Sequence, residues 1–74
     1  MEMKEIEKRI LEAYPGTSVV GLDPRGSGDY IDVRISQNDE LKTLNRVKKH
    51  QAIMKLFDEE LKSGEIHALT IKFI

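Results

Sequence analysis

Between Tyr30 and Ser36 the chain alternates without a lapse: Ile31, Val33 and Ile35 point one way, Asp32, Arg34 and Ser36 the other. A segment with that period is a strand buried on one face only. The rest of the chain must therefore cover one side of a sheet and leave the other to water. With 74 residues there is room for one such two-layer unit. A chain this short buries only about 60% of its unfolded surface, which leaves little room for a deep substrate pocket.

The flanking segments supply the cover. Ile6, Ile10 and Leu11, with Ala13 and Tyr14, fall near one face of an opening helix, and Glu2, Glu5, Lys8, Arg9 and Glu12 take the rest. Pro15-Gly16 stops that helix, because proline cannot continue the backbone ladder and glycine accepts a left-handed turn. Thr17 to Leu22 is β-branched and reads as a first strand. The turn-rich loop Asp23 to Asp29 joins it to the alternating strand as a hairpin.

Asn38 and Asp39 have the chemistry of helix caps. After them Leu41, Leu44, Val47, Ile53, Met54, Phe57 and Leu61 recur at helical spacing. The spacing predicts a short helix over Asp39 to Thr43 and a longer one from Asn45 to Lys62, ended by Ser63-Gly64. Ile66 to Ile74 is a last strand, with Leu69, Ile71 and Phe73 on one face. The order α-β-β-α-α-β predicts an α+β domain: a three-stranded mixed sheet with helices on one face. The last strand, reached through helices, can pair in parallel.

Charge and composition exclude several functions. Twelve basic residues against thirteen acidic ones give a net charge of -1, so the whole domain exerts no pull on nucleic acid or anionic lipid. There is no cysteine, hence no disulfide and no thiolate, which suits a reducing compartment. No stretch approaches the roughly 20 apolar residues of a membrane span. The charged N-terminus lacks the apolar run of a secretory signal. A cytoplasmic protein, monomeric when free, is the expectation. No nucleophile, base and orienting group fall into a catalytic pattern, so binding rather than catalysis is expected.

His67 opens the last strand in Ile66-His67-Ala68-Leu69 and shares parity with Leu69, Ile71 and Phe73. Placed at the strand's end, its imidazole suits either a metal ligand or a rim histidine bonded to a backbone carbonyl. His50 flanks the apolar stripe of the long helix and reads as a packed structural residue. Lys42, Arg46 and Lys49 follow helical spacing beside Lys48 and Lys55. They form either a solvated face or one that meets phosphates or an acidic partner. Gly26-Ser27-Gly28 lies between two strands with no helix behind it, which fits a flexible hairpin loop and not a phosphate loop.

The run Leu44-Asn45-Arg46-Val47-Lys48-Lys49-His50-Gln51, followed by Glu59 to Lys72 with its Ile-His-Ala-Leu strand, resembles the BolA family. The resemblance implies a KH-like fold of class II and partnership with monothiol glutaredoxins carrying a Cys-Gly-Phe-Ser motif. It implies that His67 helps coordinate a two-iron two-sulfur cluster shared with the glutaredoxin's cysteine and glutathione, and that the chain alone carries none. Many relatives hold a second His or Cys ligand in the loop between the first two strands. Asp23 to Tyr30 contains neither, which leaves Asp29, Tyr30 or water to substitute, or His67 to serve alone. The resemblance also implies a second reading, a KH-like nucleic-acid-binding transcription regulator of the stress-response kind. KH domains clamp nucleotides with a Gly-X-X-Gly loop, and none occurs between Asp39 and Lys62. DNA contact would then rest on Arg46, Lys48 and Lys49 and be weak.

Overall fold

In a computed structural model covering Met1–Ile74, the alternating segment Tyr30–Ser36 (β2) is the centre of a three-stranded sheet. Ser18–Leu22 (β1) pairs with it antiparallel and Ala68–Phe73 (β3) pairs with it in parallel. The sheet is thus mixed, and the architecture is the α+β one expected. Ile31, Val33 and Ile35 are buried, while Tyr30 and Arg34 on the opposite face are exposed. Leu69 joins the buried side, and Ile71 and Phe73 pack partly against it.

Helix Met3–Ala13 (α1) packs against β1 and contributes Ile6 and Ile10, both fully buried and one helical turn apart. Leu11, expected on that face, is 41% exposed. It follows Ile10 by one position, about 100° around the helix, and so turns out of the narrow contact. Pro15 ends α1 by forcing Tyr14 out of the helical region, to φ -132°, ψ 78°. Thr17, the one buried polar residue, gives its hydroxyl to Tyr14 O at 2.8 Å.

Asn38 caps the short helix Asp39–Lys42 (α2), its Oδ1 accepting Leu41 N at 2.9 Å while its Nδ2 donates to Pro15 O at 2.8 Å. One side chain therefore starts a helix and ties it to the turn after α1. Asn45 caps Arg46–Lys55 (α3) in the same way, accepting Lys48 N at 2.8 Å.

The long helix expected from Asn45 to Lys62 is two helices. The chain leaves α3 at Leu56–Phe57, and Asp58–Ser63 (α4) begins anew. Amides of Leu56 and Phe57 bond back only three residues, to Ile53 O and Met54 O, and Phe57 adopts φ -118°, ψ 21°. Asp58, Glu59 and Glu60 explain the break. Carboxylates are favoured in a first turn and disfavoured toward a C-terminus, so an acidic triplet late in one helix becomes stabilising at the start of another.

Arg9 of α1 closes the gap. Its guanidinium donates to Leu56 O at 2.9 Å, pairs with both oxygens of Glu60 at 2.7 and 3.2 Å, and lies 5.1 Å from the centre of the fully buried Phe57 ring. A residue placed by spacing on a solvated face thus satisfies the carbonyl that the break orphans. Gly64 ends α4 at φ 84°, as its position predicted.

Val47, counted in the apolar stripe, is 63% exposed, and α3 buries only Ile53. His50 is also exposed, which corrects its reading as a packed structural residue. With a single buried position, α3 rests on the sheet along a narrow line, and side chains flanking that line stay in water.

Candidate functional site

The loop between β1 and β2 is shaped by Asp23. Its carboxylate accepts Gly26 N at 3.0 Å and Gly28 N at 2.9 Å, and its carbonyl accepts Gly26 N at 3.1 Å. Gly26 and Gly28 sit at φ 69° and 78°, where a side chain would be strained. The loop expected to be flexible is therefore stitched into one course by a single carboxylate, and it carries Arg25 and Asp29 to the start of β3.

There Asp29 O accepts two amides, His67 N at 2.7 Å and Ala68 N at 3.1 Å. Ile66, just before, is fully buried and donates its amide to Glu60 O at 3.0 Å. His67 is thus pinned between an anchored core residue and the first rung of a strand. It lies outside the ladder, which begins at Ala68, so strand parity does not govern it. Its side chain is exposed and its ring stacks on Tyr30, with centroids 5.9 Å apart and planes 10° from parallel. The guanidinium of Arg25 lies 4.3 Å from the centre of that same Tyr30 ring.

The structure brings His67, Tyr30 and Asp29 together and adds Arg25, which no spacing pointed to. Its only signal in the sequence was membership of the loop next to the tyrosine. The hydroxyl of Ser27 bonds the Asp29 carboxylate and holds it below the ordinary carboxyl range, with the backbone amide and the charges of Arg25 and His67 acting in the same direction. Asp29 is thus ionised and already engaged.

Chemically, the arrangement presents one exposed imidazole stacked on a tyrosine whose ring also carries a guanidinium. No group of three His, Cys, Asp or Glu side chains that could hold a metal converges anywhere in the molecule. A metal centre at His67 would take its other ligands from a second molecule.

The basic residues of α3 separate. Arg46 and Lys49 line a shallow cavity with His50, Gln37, Ile71, Lys72 and Phe73, and Lys48 lies outside it. This cavity adjoins the far end of β3, five residues on from Ala68, or about 16 Å along the strand. His67 and the basic cavity thus occupy opposite ends of the sheet.

A family profile describing BolA-like proteins matches residues 18–74. The chain belongs to the BolA-like family. The match spans β1 to the end of the chain and includes the loop, α3 and His67; α1 precedes it. No curated protein and no solved structure matches the chain. No helix of this BolA-like protein is long and apolar enough to cross a membrane.

Proposed function

We propose that this BolA-like protein is a non-catalytic adaptor that docks a monothiol glutaredoxin and offers His67 as one ligand to a two-iron two-sulfur cluster, its cargo. The observation that supports the reading most is the posture of His67. An imidazole exposed to solvent, yet fixed by its backbone on Asp29 O and by its ring on Tyr30, has lost much of the freedom a ligand must surrender on binding. The donor set suits a shared centre, since no group of three His, Cys, Asp or Glu side chains converges within the chain to hold a metal by itself.

The remaining ligands would be the partner's cysteine and glutathione. Histidine in place of thiolate raises a cluster's reduction potential, the chemical change such sharing would bring. Within this chain each residue has a separable task. Asp29 sets the height of His67 through its carbonyl, and Tyr30 limits the imidazole's rotation. Arg25 supplies positive charge beside a centre whose thiolate ligands are negative. Tyr30 acts here as a stacking platform, which leaves His67 the chain's single metal ligand.

The test is anaerobic co-purification with a monothiol glutaredoxin and glutathione, read by visible absorption and circular dichroism. A heterodimer whose cluster spectrum differs from that of the glutaredoxin homodimer supports the reading. Absence of any heterodimer under these conditions contradicts it.

A further inference from the structure

The cavity at the opposite end of the sheet has a composition that the His67 site does not explain. It is about 410 Å³ and is lined by Arg46, Lys49, His50, Lys72, Gln37, Ile71 and Phe73. Two elements supply its three permanent cations: the first turn of α3 gives Arg46, its middle gives Lys49, and the end of β3 gives Lys72. No carboxylate lines it, and none of these cations forms an ion pair; those in the molecule are made by Met1, Lys8, Arg9 and Lys62. In a chain of net charge -1, three unpaired cations around one hollow are a local concentration against the overall balance.

Lys49 is held in place. Its ammonium donates to Gln37 Oε1 at 2.6 Å and rests 5.3 Å from the centre of the Phe73 ring. Two of its three N–H groups remain for another acceptor. The guanidinium of Arg46 offers a planar fork, and its position at the N-terminal end of α3 adds the helix's own positive end. Half-buried Ile71 and Phe73 give the hollow an apolar floor.

From this convergence we infer that the cavity is a binding site for a small phosphorylated molecule, its phosphate held by Arg46, Lys49 and Lys72 and its organic part lying on Phe73. A phosphate dianion matches several converging cations, which a lone carboxylate does not, and a fork with two ammonium groups satisfies its three terminal oxygens. The volume is that of a small-ligand site. Net negative charge opposes a long polyanion, whose further phosphates would meet the acidic remainder of the surface. The inference stands apart from the glutaredoxin reading, because it uses other residues at the other end of the sheet.

The experiment is a titration of the whole chain, followed by amide chemical shifts in ¹H–¹⁵N spectra at constant ionic strength. The probes are inorganic phosphate, adenosine monophosphate, acetate and a twelve-nucleotide single strand. Phosphate and the mononucleotide are expected to shift amides around Gln37, Arg46 to His50 and Lys72 to Phe73, the mononucleotide binding more tightly, and acetate to leave them still. Lys72→Gln, an exposed site whose loss leaves the core intact, should weaken phosphate about tenfold, the worth of one charge-assisted hydrogen bond. Arg46→Gln should do the same, and Lys55→Gln, elsewhere on α3, should bind as the parent does. Shifts scattered over every lysine-bearing surface, or unchanged affinity in folded Lys72→Gln and Arg46→Gln, would overturn the inference. So would single-strand affinity that exceeds the mononucleotide's by orders of magnitude, since the surface would then be reading a nucleic acid.

Discussion

Arg9 should be worth more to this fold than any other charged residue, and the size of the effect follows from its partners. Replacing it with Ala leaves Leu56 O without a protein donor at the α3–α4 break, a loss of about 1.5 kcal/mol for a charge-assisted hydrogen bond. The pair with Glu60 is partly solvated, with Arg9 at 37% side-chain exposure and Glu60 at 15%, so water screens it to about 0.5–1 kcal/mol. Contact with the Phe57 face adds about 0.5 kcal/mol. Water recovers part of each, and a net destabilisation of about 2 kcal/mol is expected. On a domain of this size that corresponds to a fall of about 8–16 °C in Tm.

Urea denaturation of Arg9→Ala, Glu60→Gln and the double variant measures both the total and the coupling between the two side chains. The same pair sets a pH dependence. The Arg9 hydrogen bond holds the Glu60 carboxyl below its ordinary 4.5, so the pair's contribution is complete above that pH. It is lost as pH falls through the lower folded value. As pH falls through that lowered value, the gap between the urea midpoints of the parent and Arg9→Ala should narrow by the pair's share and no further, because the contacts to Leu56 O and Phe57 remain. Arg9→Ala within about 0.5 kcal/mol of the parent at pH 7 would refute the reasoning, since it would be behaving as an ordinary surface site.

Gly21→Ala should destabilise by about 1–2 kcal/mol in thermal melts, because a methyl there meets the Met3 side chain packed over β1; an unchanged Tm would mean that Met3 moves aside freely. Asn38→Ala should cost about 1–2 kcal/mol, as it removes both the α2 cap and the tie to Pro15 O, and a loss no larger than a few tenths in urea would show the tie to be idle. Sequence-specific DNA affinity should be weak, given the net charge of -1 and the separation of Lys48 from Arg46 and Lys49. Submicromolar binding at physiological salt, abolished in Arg46→Ala, Lys48→Ala and Lys49→Ala, would reverse that expectation.

The strands and their faces were legible because a period of two has one meaning in a chain this short, and Ile31, Val33 and Ile35 are buried as that period requires. The caps at Asn38 and Asn45 and the stop at Gly64 follow local chemistry and were readable for the same reason. The helix break was legible only through the charge of Asp58-Glu59-Glu60, a signal that the apolar spacing of Phe57 and Leu61 masked. Arg9 and Lys72 escaped notice because their partners lie far along the chain, where no local pattern reaches, and Arg25 because a loop residue has no period to place it over Tyr30. His50 and Val47 misled in the opposite direction. Their spacing was helical, but a helix that buries one residue has little covered face for such spacing to report.

The central claim concerns one nitrogen atom, and one measurement reaches it directly. The protein is labelled with ¹⁵N at histidine and assembled with unlabelled monothiol glutaredoxin, glutathione and cluster. The cluster is then reduced by one electron and examined by electron–nuclear double resonance. The account predicts a strong ¹⁵N coupling in the parent and in folded His50→Ala, and its loss in folded His67→Ala. A parent spectrum without that coupling, or one that persists in His67→Ala and vanishes in His50→Ala, would contradict it.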